Sequence, residues 1–301
     1  MSSKLAVRVG IAGVLALVAL VAAASSARAT HPGNTNGRLA FGITLDGNTD
    51  VYSVLPNGQA LHRLTDDPGF DACPAYSADG ESIAWCGPGG IWLMKQDGTD
   101  KRQLTTFGVF PDISPDGSQI VFNGRLPASA DPNVFVVNSD GTGLTQLTTD
   151  TANDGFPVWS PDGSKIVFQS NRTGISQVWV MNADGSGQTE LTFDPVPKDQ
   201  LPDWSPDGSR IAFVEQTHST GGDIWIMNAD GSNPHPITSG ADKLGTAWSP
   251  DGTQIATLDW PSRTVEVMNA DGSDAHAVHP GGVQFVPGWQ PRGTGLDDLG
   301  E

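Results

Sequence analysis

The chain has 301 residues and a formal charge of −18, from 34 acidic and 16 basic side chains. A surface that negative repels phosphate backbones and anionic lipid, which argues against nucleic-acid and membrane-surface partners. The 37 glycines and 22 prolines are spread throughout and leave no room for a long helix.

Residues 1–29 read as a secretory signal peptide. Lys4 and Arg8 give a basic start, an apolar run follows from Gly10 to Ala24, and "SARA" offers small residues at Ala27 and Ala29. The run is shorter than the roughly 20 apolar residues a membrane span needs, so cleavage after Ala29 is expected rather than retention as an anchor. Cleavage would leave 13 basic and 34 acidic residues, a net of −21. Residues 30–36 then lead into the fold. An exported chain with no second apolar span, monomeric and either periplasmic or secreted, is the expectation.

From Asn36 onward the chain repeats itself. Turn glycines recur at Gly80, Gly117, Gly163, Gly208 and Gly252, and a second set at Gly58, Gly98, Gly141, Gly185, Gly231 and Gly272. Six beats of about 40 to 45 residues match four-stranded propeller blades. "SPDG" and "NADG" are type I turns closed by a glycine at positive φ, which joins antiparallel strands. Between them lie "KIVF", "RIAF", "VWVM" and "IWIM", too short for helices and apolar on both faces, so both faces must be covered. Neighbouring blades in a ring do that.

Trp159, Trp204, Trp248 and Trp289 open four copies, with Tyr76 and Ile113 in the same place in two more. The first beat, from "NGRLAF", lacks such an opening strand, and the last, "VPGWQPRG", consists of little else. Together they complete one blade, which closes the ring and leaves no open edge. The expected fold is therefore all-β: a six-bladed propeller over residues 37–292, with 293–301 a disordered tail.

The unit "PVWSPDGSKIVFQSNRTG…VWVMNADGSGQTELT" resembles the repeat of the TolB-type β-propeller, and the likeness runs from about Gly37 to Pro291. The resemblance implies an envelope-associated role in binding. The family's founding member carries an α/β domain ahead of its propeller; no counterpart is expected here, which weakens the inference of a Tol–Pal role but not that of the fold.

An aspartate stands five residues before the aromatic in three copies, as Asp71, Asp154 and Asp199, and Asp242 lies six before Trp248. These loops feed the innermost strands, so the carboxylates are expected around the mouth of the central channel, as a negative funnel for a cationic side chain or a hard metal ion. They can equally pair with Arg172, or with Arg125 and Arg263 of the matching loops, or cap local amides. The loops "NGRLPASADPN" and "VEQTHSTGGD", with Arg125 and His218, are the most elaborate and mark the binding rim. Trp260 falls in a rim loop where it can be exposed.

Cys73 and Cys86 can oxidise in an exported protein. A turn centred between Asp79 and Gly80 would set them opposite each other, whereas a bulged turn shifts the register by one and weakens that geometry. Both readings stay open.

The sequence holds no G-x-S-x-G elbow, H-E-x-x-H, phosphate-binding loop or C-x-x-C. In "HAVH", His276 and His279 are an odd number apart, which on a strand sends the rings to opposite faces. The reading is a non-catalytic scaffold without cofactor or metal, taking a protein or peptide, a cationic one included, on the rim that carries Asp71, Asp154, Asp199, Asp242, Arg125, Arg172, His218 and Arg263. The alternative is a lyase or hydrolase acting on a carbohydrate or lactone at the channel mouth.

Overall fold

A computed structural model describes residues 35–127, 131–193, 198–216, 221–279, 281–283 and 287–292. The leader and tail readings lie outside these residues, as does His218. Among the described residues every element is a strand.

The first blade begins with β1 (Thr35–Leu45), β2 (Asn48–Val54) and β3 (His62–Arg63). The second holds β4 (Ala72–Tyr76), β5 (Ser82–Gly87), β6 (Gly90–Lys95) and β7 (Arg102–Gln103), and the third β8 (Val109–Ile113), β9 (Gln119–Gly124), β10 (Asn133–Asn138) and β11 (Thr145–Gln146). In the fourth are β12 (Asp154–Trp159), β13 (Lys165–Ser170), β14 (Gln177–Asn182) and β15 (Thr189–Glu190). The fifth has β16 (Lys198–Trp204), β17 (Arg210–Gln216), β18 (Asp223–Asn228) and β19 (His235–Pro236), and the sixth β20 (Lys243–Trp248), β21 (Gln254–Asp259), β22 (Thr264–Asn269) and β23 (His276–His279). Then β24 (Gly288–Arg292) returns to the first blade, whose strand order is β24-β1-β2-β3.

The two ends of the fold close the ring as the repeat arithmetic requires. Leu39 pairs with Trp289 and Ala40 with Gly288, antiparallel. Gln290 ties this strand to the next blade through a 3.0 Å hydrogen bond from its Nε2 to the Gly80 carbonyl. Cores form between blades rather than within them. Leu39 and Phe41 of the first blade pack with Leu258 and Val265 of the sixth, and Ile91 of the second with Ile120 and Phe122 of the third. Strands apolar on both faces have no other way to be covered.

Two local devices repeat. In each "SPDG" turn the serine hydroxyl donates to the aspartate, as in Ser160 to Asp162 Oδ1 at 2.7 Å, and the aspartate accepts the amide two residues on, from Ser164 at 2.9 Å. In five blades a threonine two residues beyond the short outermost strand accepts a backbone N–H of the third strand: Val51 to Thr65, Ile91 to Thr105, Val134 to Thr148, Val178 to Thr192 and Ile224 to Thr238, all at 2.9–3.0 Å. These latches tie outer strands of only two residues to the blade.

Candidate functional site: the channel and its entry rim

Five innermost strands run from one rim, here the entry rim, to a Ser-Pro-Asp-Gly turn (Ser-Ala-Asp-Gly in the second blade) at the other, and β24 of the first blade takes the same place without such a turn. The second strand climbs back, so the loop after it shares the entry rim. The channel between the six innermost strands encloses about 260 Å³.

Every innermost strand that the structure describes in full carries a bulge at the same place, three residues before its recurring bulky residue. There the backbone is left-handed: Cys73 (φ 53°), Phe110 (54°), Phe156 (51°), Leu201 (56°) and Gly245 (71°). A non-glycine residue held this way costs on the order of 1–2 kcal/mol. The bulge turns these residues onto the channel wall at its entry end, and the rings of Phe110 and Phe156, from adjacent blades, lie 4.2 Å apart. The next place along is proline in five of six blades, at Pro74, Pro111, Pro157, Pro202 and Pro287, and all five line the channel. A residue without an N–H is tolerated there because the bulge has already broken the ladder.

One step further along, two blades place aspartates. Asp112 and Asp203 are the only charged residues among the described channel lining. Each reaches across a blade seam to the backbone of the next bulky residue: the Trp159 N–H donates to Asp112 Oδ2 at 2.8 Å and the Trp248 N–H to Asp203 Oδ2 at 2.7 Å. Both are half-buried and face an apolar wall. Burial pushes each carboxyl up to about 7 against the opposing effect of its backbone hydrogen bonds, and Asp112 adds repulsion at Asp203. Sequence reasoning missed this pair. The signal was available: the place between proline and the bulky residue is Ala, Asp, Val, Asp, Ala and Gly around the ring.

The aspartates singled out from the sequence sit elsewhere, and the expected ring of carboxylates around the channel is corrected. None of Asp71, Asp154 and Asp242 lines the cavity. Asp71 is buried within its blade, where it accepts the Trp85 indole N–H at 2.9 Å; burial raises its carboxyl above the usual range, against the hydrogen bonds from Trp85 and Thr65. Asp154 is fully buried and held at 3.0–3.1 Å by both oxygens on Arg172, which also meets Asp150 at 3.0 Å and lies over the Trp179 ring. That pairing is the arginine partnership the repeat allows. The difference is geometric: a carboxylate five places before the aromatic precedes the bulge, and its side chain turns to a partner in its own blade, Trp85 for Asp71 and Arg172 for Asp154. Asp242 is half-buried, with Lys243 beside it bridging Asp259 and Glu266 at 3.0 and 2.6 Å. The Asp199 side chain lies outside the described residues. Arg125 is exposed, and Arg263 stacks 3.5 Å above a half-buried Trp260.

His276 is exposed while His279 is half-buried against Phe41; the strand slips register between them, with His276 opposite Val267 and His279 opposite Val265, so simple alternation does not describe the pair. Among the described residues no group of three or more His, Cys, Asp or Glu side chains is placed to hold a metal ion.

The entry rim is also the more apolar one. Of the six large apolar side chains exposed among the described residues, Leu45, Phe70, Val109 and Phe193 lie on it, the last 73% exposed; Leu61 and Leu144 lie on the other. Phe110, Phe156 and Leu201 line the channel at this same end, and the four exposed side chains lie outside that lining.

Comparison with known proteins agrees with this architecture. The family model for the TolB β-propeller domain matches residues 108–292. The Tol-Pal system protein TolB of Desulfosudis oleivorans is 30% identical over 121 residues, 39% of this chain, and the match spans only 28% of that relative's length. Among solved structures, TolB from Acinetobacter baumannii superimposes with a TM-score of 0.72 at 20% identity, over 85% of this chain and 67% of that one. An oligogalacturonate lyase in complex with manganese superimposes less well, with a TM-score of 0.59 at 17% identity over 84% and 75% of the two chains. At such identities the solved structures speak for the fold alone. With the repeat, the closed ring and a family model covering well over half of the chain all in agreement, the chain belongs to the TolB β-propeller domain family.

Proposed function

We propose that this protein is an exported, monomeric, non-catalytic scaffold that binds a protein or peptide on its entry rim. The observation that carries this reading is the set of large apolar side chains exposed on that rim, at the end where Phe110, Phe156 and Leu201 line a largely apolar channel with two carboxyls. Exposed apolar surface around a concavity is where polypeptide partners dock, and the rigid ring holds the loops that make the contact. Asp112 and Asp203 favour a basic side chain at the tip of the ligand. The name of the Desulfosudis relative places that protein in the Tol-Pal system, and an envelope partner in the periplasm is the corresponding reading here.

The test is affinity capture from the native envelope with the wild-type chain and with a Phe110→Ser/Phe156→Ser variant matched for thermal stability. A polypeptide retained by the wild type and lost by the variant supports the rim. Equal retention by both sinks it. Turnover of an oligogalacturonide by the purified protein with manganese would overturn the non-catalytic reading in favour of the lyase alternative.

A further inference from the structure

The two cysteines, left open by the sequence, are brought together by the bulge of the second blade. The turn itself keeps its register, with Tyr76 opposite Ile83 and Ala75 opposite Ala84. The slip occurs further up the strand, so that Ala72 rather than Cys73 pairs with Cys86. Cys73, in the left-handed conformation, then packs beside Cys86, and the two share one small buried cluster with Ala72. Phe110 of the third blade packs on the pair, and its backbone N–H donates to Cys86 Sγ at 3.5 Å. Both thiols are free and buried.

We infer that Cys73 and Cys86 form a structural disulfide that staples the channel-wall bulge of the second blade to the strand behind it. The reaction is a two-electron oxidation: two S–H bonds break, one S–S bond forms, two protons leave, and a disulfide oxidant is reduced to its dithiol. Bridging strand neighbours in an antiparallel pair needs only the close approach that the bulge provides. Burial pushes the Cys73 thiol well up, the contact with Cys86 raises it further, and the Phe110 amide opposes them. Thiolate is therefore scarce once the third blade is in place, and exchange needs thiolate. Both thiols are buried and Phe110 packs on them, so the bond once formed is shielded from reductants.

The test uses the full chain refolded from its reduced, denatured form in a glutathione redox buffer, with a parallel sample in dithiothreitol. The expected result is loss of both thiols to titration under denaturing conditions, an intramolecular 73–86 link in the non-reducing peptide map, and a melting temperature higher by about 5–10 °C than in the reduced sample, as closing a loop of this length implies. The link should also survive dithiothreitol in the native state and yield to it in denaturant. Two titratable thiols in a folded chain from the redox buffer, or glutathione adducts instead of the internal link, would overturn the inference. Where refolding fails, the same thiol titration on chain exported into a bacterial periplasm separates the two outcomes, with Cys73→Ser/Cys86→Ser as the blank.

Discussion

Asp112 and Trp159 meet across the seam between the third and fourth blades, where the tryptophan's backbone N–H donates to the carboxylate at 2.8 Å. Asp203 and Trp248 repeat the contact two blades on. A carboxyl thus holds neighbouring blades in register, and it does so half-buried in an apolar wall.

That placement sets a pH dependence. Both carboxyls titrate at about 7 in the folded chain and in the ordinary carboxylate range near 4 when unfolded. Between those values the native state binds more protons than the unfolded one, so stability falls as pH rises through the window and levels off above about 7. The exposed turn aspartates act at the other end. Hydroxyl hydrogen bonds, from Thr142 and Ser186, hold Asp140 and Asp184 below their usual values, and the stability they contribute is lost as pH falls below about 4. The wild type should therefore melt lower at pH 8 than at pH 5. In Asp112→Asn/Asp203→Asn, where the side chains still accept the same amides but stay neutral, that difference should shrink. An unchanged difference, read by calorimetry, would mean that other groups set the slope.

The Asp154–Arg172 pair should behave as a buried charge with one partner. Removing the arginine alone, as Arg172→Met, leaves Asp154 unpaired and should cost about 3–5 kcal/mol. Adding Asp154→Asn should recover much of that loss. Urea unfolding of the two singles and the double decides it, and a pair that merely sat on the surface would show less than about 1 kcal/mol throughout.

The threonine latch is open to a nearly isosteric change. Thr148→Val keeps the shape but leaves the Val134 N–H buried without its acceptor, which should cost about 1–3 kcal/mol. Amide exchange at Val134 should quicken along with the fall in melting temperature.

Ring closure can be isolated by comparing two glycines. Gly80 and Gly117 occupy the same turn position with φ of 73° and 72°, so alanine strains both backbones alike. A Cβ at Gly80 would come within 2.2 Å of the Pro291 carbonyl, whereas at Gly117 it meets nothing within 4 Å. Gly80→Ala should therefore destabilise by well over 1 kcal/mol more than Gly117→Ala, and it should loosen the C-terminal strand to proteolysis. Equal losses would mean that the latch contributes little.

Fold and site differ in how far the sequence discloses them. The blades are plain in it because turn glycines, Ser-Pro-Asp-Gly segments and doubly apolar strands are local, and a repeat multiplies each signal six times. Closure is equally visible, since the first beat lacks the strand that the last one supplies. The site is not. Where each inner-strand side chain points depends on a bulge, and one extra residue exchanges the two faces of a strand. Asp154 and Asp112 both lie ahead of a bulky residue in the same kind of segment, yet one ends beneath Arg172 and the other on the channel wall. The residues that betray the bulge are ordinary ones. Nothing in the side chains of Cys73, Phe110, Phe156 or Leu201 announces a positive φ.

Because the bulge resides in the main chain, the positions it aims inward are interchangeable mounts. Cysteine, phenylalanine, leucine and glycine already occupy them in one molecule with the same geometry. Cys73 and Phe110 have partners behind them, but where such a side chain has none it can change while the backbone that carries it stays the same. Specificity in such a scaffold can drift quickly while the wheel that bears it stays fixed.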